Sequence, residues 1–132
     1  MKTVYCVGNS LLREDRLPLQ IMKKLQEKFP QLEFKEMDPS ETMPEEKQLT
    51  LIDTVIGIDK VKAIKDIEMI VTGKLYSLHD FDLGFTLKLM KKAGKIENVR
   101  IIGVPAQMEQ EEAIKGVSRE LKKILSTNKQ IV

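Results

Sequence analysis

The chain has 132 residues, of which 42% are hydrophobic and 32% charged, and these values are typical of one folded domain spanning residues 1–132. The formal net charge is only +2 and the lysines are dispersed, which argues against a nucleic-acid-binding protein. Because we find no secretory signal and no apolar run of ~18 residues, we expect no membrane insertion. One cysteine cannot form an internal disulfide, which favours a reducing cytoplasm.

The first predicted strand is the apolar run from Thr3 to Val7, which is too short for a helix. Gly8 and Asn9 then break it, since both tolerate the positive φ of a sharp turn. Pro18 suits the first turn of a following helix. The apolar positions of that helix are Leu17, Ile21, Met22, Leu25 and Phe29. Cys6 lies inside the strand, so a buried and inert thiol is a simpler interpretation than a catalytic one.

Glu14 and Asp15 occupy the loop between this strand and this helix. In open α/β sheets, ligands bind beyond the carboxyl ends of the strands, so the two acids are candidates for a site. The alternative is that they only interact favourably with the positive end of the helix. A phosphate-binding turn is disfavoured, because the glycine patterns of such turns are missing and carboxylates repel phosphate.

A second strand is predicted around Leu32, Phe34 and Met37, whose apolar side chains alternate with charged ones. Pro30 separates it from the preceding helix, since proline disfavours the α conformation of the residue before it. A loop rich in proline and acidic residues follows from Asp38, again just beyond a strand end.

The run Leu49–Ile56 is nearly continuous in apolar and β-branched residues, which is typical of a parallel strand covered on both faces. Asp53 interrupts it. Because burying an unpaired carboxylate is costly, Asp53 must reach the sheet edge, a partner or a metal, unless it caps a turn at the strand end. Further along, Asp59 and Lys60 signal a turn, and we predict a strand over Glu68–Val71 that could be an antiparallel edge strand.

His79 is the single histidine of the chain and precedes a helix signalled by Leu83, Leu87 and Met90 and ended by Gly94. A structural histidine and a metal ligand are both open interpretations, although a helix N-terminus favours the neutral form that binds metals. The nearby Asp80 and Asp82 have a simple interpretation as helix caps.

The last predicted strand is Val99–Val104, ended by Gly103 and Pro105, and an amphipathic helix follows it. The apolar positions of that helix are Ile114, Val117, Leu121, Ile124 and Leu125. The order β-α-β-β-β-α-β-α predicts an α/β fold, a three-layer α/β/α sandwich with a mostly parallel, roughly five-stranded twisted sheet. Asp15, Asp53 and His79 all fall near strand ends or before helices, and such oxygen and nitrogen ligands suit a divalent ion.

Four stretches of the chain carry a resemblance to a known family. They are Gly8-Asn9-Ser10-Leu11-Leu12-Arg13-Glu14-Asp15, Leu51-Ile52-Asp53-Thr54-Val55, Ser77-Leu78-His79 and Ile102-Gly103-Val104-Pro105. In this order they resemble the motifs of the [NiFe]-hydrogenase maturation endopeptidases, which remove the C-terminal extension of the hydrogenase large subunit. The resemblance covers nearly the whole chain.

The resemblance implies a metal-checked peptidase. Asp15, Asp53 and His79 fall on the family's metal-contacting positions, and are therefore the expected catalytic and metal-binding residues. The nickel would be supplied by the precursor of the large subunit, which is the expected partner, so that only a loaded precursor completes the coordination. Glu14 and Asp38 are the further candidates, for positioning and precursor selection. We expect a monomer.

The chain also departs from the family pattern. The glycines that usually follow the first acid are replaced by Arg16-Leu17-Pro18, and the glycine-rich loop after the second strand by Asp38-Pro39-Ser40-Glu41-Thr42. Two other functions therefore remain open. One is a non-catalytic assembly factor that binds the metal-loaded subunit, and the other is a small nucleotide- or flavin-binding domain, against which the acids at Glu14 and Asp15 argue.

Overall fold

The structure, a computed structural model, describes residues 2–8, 16–38, 43–65, 76–77 and 80–131. Its strands are β1 (Lys2–Val7), β2 (Leu32–Met37), β3 (Gln48–Ile56), β4 (Lys62–Ile64), β5 (Tyr76–Ser77) and β6 (Asn98–Pro105). Its helices are α1 (Leu17–Lys28), α2 (Asp80–Lys92) and α3 (Gln110–Ile131). Among the described residues, no helix combines the length and the apolar character needed to cross a membrane.

The strands form one sheet in the order β2-β1-β3-β6-β4. β2, β1, β3 and β6 are parallel, whereas β4 runs antiparallel to β6 at the edge. The short β5 pairs antiparallel with the last two residues of β3. Because Val55 already pairs with Pro105 on one edge of β3, its pairing with Ser77 places β5 on the other edge, just past the end of β1.

The sheet separates two buried apolar clusters. On one face, Ile21 of α1 and Val117 of α3 pack against Val4 and Ile52. On the other face, the fully buried Leu87 of α2 packs in the cluster that contains Leu49, Leu51, Val55 and Ile101 of the sheet. The three layers and the mostly parallel sheet confirm the predicted α/β sandwich.

The ends of two helices follow the predicted signals. α1 has Pro18 in its first turn and ends at Lys28, with Phe29 as its C-cap directly before Pro30. Gly94 follows α2 with a φ of 77°, a left-handed conformation that glycine adopts without a steric cost.

Some strand predictions differ from the structure. The antiparallel edge strand β4 was not predicted, and the predicted strand Glu68–Val71 falls outside the described residues. Gly103 does not end the last strand, because β6 continues to Pro105 and Gly103 pairs with Asp53. β5 was not predicted, since two residues are too few to produce a period-two pattern.

Gly116 of α3 lies where the helix contacts Val61. A Cβ built on Gly116 would lie 2.5 Å from Cγ2 and 2.6 Å from Cβ of Val61. Alanine normally stabilises a helix by about 1 kcal/mol relative to glycine, but forced overpacking costs about 1–3 kcal/mol. We therefore expect Gly116→Ala to lower the free energy of unfolding, measured by urea denaturation. In a Val61→Gly background, which removes both of these close atoms, the same substitution should instead stabilise the protein. A stabilised single variant would contradict the contact.

Candidate functional site

The carboxyl ends of β1 and β3 form the point at which the strand order reverses. From β1 the chain passes through α1 to β2 on one side, whereas β3 lies on the other side of β1 and the chain returns to β6 through α2. Because α1 and α2 cover opposite faces of the sheet, the two crossovers diverge here. Such a switch point is where open α/β sheets bind ligands.

Asp53 lies on the central strand at this point. It is 0% exposed, and it shares its face of β3 with Leu51 and Val55, the face that α2 covers. It does not cap a turn at the strand end, since β3 continues for three residues to Ile56. Asp53 has an interaction partner in the structure, as a buried carboxylate requires. A carboxyl group is costly to bury in a core, and this cost favours a role for Asp53 beyond packing.

Described residues of two other family-like motifs pair with β3 at or near Asp53. Gly103 of β6 pairs with Asp53, and Pro105 pairs with Val55. On the other edge, Ser77 pairs with Val55, and the end of β1 lies alongside because Cys6 pairs with Ile52. Motifs that are far apart in sequence therefore meet at the carboxyl end of the sheet.

Of the other predicted site residues, the structure describes only Asp38. Asp15, Glu14 and His79 lie outside the described residues. Asp38 directly follows β2 and is partly buried at the same end of the sheet as Asp53. One strand, β1, separates the two, which corresponds to about 10 Å between backbones. Within the described part of the chain, no group of three or more His, Cys, Asp or Glu side chains is arranged to hold a metal ion.

Sequence reasoning missed a cleft of about 770 Å³ at the carboxyl ends of β3 and β6. Val55 and Pro105 line it, and Ile56, which is 47% exposed, contributes an apolar surface. Its acidic lining residues are Asp59, Glu109 and Glu112. The available signal was the turn at Asp59, which closely follows the apolar residue Ile56 at the end of the predicted strand.

Two buried polar atoms near the switch point are unsatisfied. Arg16 Nε, directly before α1, and Thr54 Oγ1 of β3 have no hydrogen-bond partner among the residues that the structure describes. Ser118 Oγ of α3 is likewise without a partner among these residues, so unpaired polar atoms are not confined to this end of the sheet.

Cys6 is not a nucleophile of this site. Its side chain is 0% exposed within the cluster between the sheet and α1. Burial, assisted by the charge of Glu36, raises the pKa of the Cys6 thiol to about 12. The thiol is therefore protonated at neutral pH, and it lacks the thiolate that attacks a carbonyl.

We expect Cys6 in the native protein to resist thiol reagents at pH 7–8 and to react once urea unfolds the chain. The reaction rate should track the population of unfolded protein, because burial and the raised pKa both suppress reactivity. Intact mass after labelling with and without urea measures this. Stoichiometric labelling of the folded protein within minutes would contradict the buried position.

Comparison with known proteins identifies a similar fold but assigns no function. No protein-family model matches the chain, and no curated protein is similar to it. The chain is similar to the crystal structure of an uncharacterized protein from Wolinella succinogenes, with a TM-score of 0.53, 15% identity and 99% of each chain covered. At this identity the likeness shows a shared fold over the whole length.

Proposed function

We propose that the protein is a metal-checked endopeptidase that removes the C-terminal extension of a nickel-loaded [NiFe]-hydrogenase large-subunit precursor. The observation that carries the proposal is Asp53, a fully buried carboxylate on the central strand at the switch point. Gly103 and Pro105 of the fourth motif and Ser77 of the third pair with β3 at or near Asp53.

In this proposal Asp53, Asp15 and His79 contact the nickel that the precursor carries. The nickel is part of the substrate, so the enzyme by itself holds an incomplete ligand set. Carboxylate oxygen and imidazole nitrogen suit a borderline divalent ion. Peptide hydrolysis then proceeds through a carbonyl polarised by the metal or through a water activated by the metal or a carboxylate. Glu14 and Asp38 position the precursor.

The cleft beside Asp53 provides room for the extended end of the precursor. Val55 lines this cleft and lies two residues beyond Asp53 on the same face of β3. A segment bound there would cover Ile56 and place its backbone near Asp53. The exposed apolar surface at a cleft edge is typical of a peptide-binding site.

The test is incubation of the purified protein with nickel-loaded and with nickel-free precursor, followed by intact mass of both chains. Loss of a C-terminal peptide from the loaded form alone is the expected result. His79→Ala should abolish it, since a ligand to the nickel is lost. Cleavage of the nickel-free precursor, or cleavage by the His79→Ala variant, would contradict the proposed dependence on nickel.

The same experiment distinguishes the endopeptidase from the alternative, a non-catalytic assembly factor. That function predicts stable binding of the loaded precursor with both masses unchanged. The replacement of the usual glycines by Arg16, Leu17 and Pro18 would then explain the missing cleavage, because Leu17 and Pro18 are buried and begin α1.

A further inference from the structure

The amino-terminal end of the sheet, opposite the candidate peptidase site, carries a pocket lined by cations. It has a volume of about 290 Å³ and four basic lining residues, Lys2, Lys65, Lys91 and Arg100. The other described lining residues are Gln48, Leu49, Thr50, Asn98 and Val99, so among the residues that the structure describes no carboxylate lines the pocket. This excess of positive charge is confined to the pocket, because the whole chain has a net charge of only +2.

The strand register brings three of these cations together, whereas Lys91 reaches the pocket from α2. Arg100 pairs with Thr50 of β3, and its neighbours Val99 and Ile101 face α2, so Arg100 lies on the opposite face. Lys2 begins β1 and alternates onto that same face with Val4. On the other edge of β6, Ile64 pairs with Ile101, which leaves Lys65 beside Arg100.

Like charges this close repel each other, and nothing in the described structure offsets them. Among the described residues, none of the four cations forms an ion pair. Burial, together with the charge of Arg100, lowers the pKa of Lys2 below 10.5. An anion in the pocket would relieve this repulsion and would accept charge-assisted hydrogen bonds.

We propose that this pocket binds a small multivalent phosphate, the triphosphate or diphosphate group of a free polyphosphate or of a nucleotide. Four cations match the charge of several phosphoryl groups better than that of a single carboxylate, and Gln48 and Asn98 add side-chain amides. In the described part of the chain, no aromatic residue on which bases of a single-stranded nucleic acid would stack lines the pocket. The proposal does not depend on the peptidase function.

The test is calorimetric titration of the full chain with inorganic triphosphate and, separately, with ATP, both free of divalent metals. We expect saturable one-to-one binding that weakens as NaCl is raised from 20 to about 300 mM, since salt screens the partly exposed charges. Equal affinities would assign the site to phosphates alone, and tighter ATP binding would assign it to a nucleotide. Both outcomes support the pocket.

Arg100→Gln and Lys65→Gln should each weaken binding about tenfold, the loss typical of one charge-assisted contact. Lys65 is exposed, so its variant keeps the test valid if the partly buried Arg100→Gln fails to fold. Lys115→Gln, an exposed lysine of α3 outside the pocket, is the matched control and should bind as the wild type does. No saturable binding up to about 10 mM at 20 mM NaCl, or equal weakening by Lys115→Gln, would overturn the proposal.

Discussion

Replacing Asp53 by asparagine is expected to abolish cleavage of the nickel-loaded precursor while the chain still folds. Asparagine has nearly the same shape and keeps one oxygen acceptor, but it loses the negative charge that a metal ligand supplies. Removing a direct ligand or a transition-state contact typically lowers the rate by at least about 100-fold. The measurement is the rate of peptide release by intact mass at a saturating concentration of precursor.

Glu97→Gln is the matched control for this variant. It makes the same change from carboxylate to amide at an exposed position just before β6, at the opposite end of the sheet. Its cleavage rate should equal that of the wild type. Circular dichroism and thermal unfolding show whether the Asp53→Asn variant is folded, so that loss of the site can be distinguished from loss of the fold. A folded variant that cleaves at the normal rate would refute the role of Asp53.

Leu51→Ala is expected to give the largest loss of stability among single truncations in β3. Leu51 is 0% exposed in the centre of the sheet and packs in the cluster with Leu83 and Leu87 of α2. Truncation of a buried leucine removes the transfer free energy of its methyl groups and leaves a cavity, at a cost of about 2–5 kcal/mol. Urea denaturation followed by circular dichroism gives the difference in the free energy of unfolding.

Leu89→Ala makes the same chemical change on α2, where Leu89 is 51% exposed. Little apolar area is returned to water there, and alanine favours the helix, so we expect a change within about 0.5 kcal/mol. Similar losses in both variants would mean that Leu51 does not lie in the core.

Leu51 and its neighbours also show why the fold could be predicted from the sequence. A parallel strand covered by helices on both faces is apolar at nearly every position, and Leu49–Ile56 has that pattern. α1 likewise begins and ends where Pro18 and Pro30 limit the backbone. These signals are local, and they were confirmed. β4 and β5 have three and two residues, which is too short for a period to emerge.

The candidate site was only partly predictable. The charge of Asp53 inside an apolar run is visible in the sequence, but its complete burial and its pairing with Gly103 depend on β6 lying next to β3. The apolar cleft at Ile56 arises because β3 extends beyond its parallel neighbour, which no local pattern records. Asp15 and His79 remain predictions from the sequence.

The sequence by itself determined the fold class, the buried strands and the position of each helix, because hydrophobic periodicity and proline act on neighbouring residues. Only the tertiary structure decided the strand order and what meets at each end of the sheet. The four cations of the amino-terminal pocket are separated by tens of residues and appear dispersed along the chain. Lys2, Lys65 and Arg100 converge because hydrogen-bond register between strands, a long-range property, sets which side chains become neighbours, and the packing of α2 on the sheet adds Lys91.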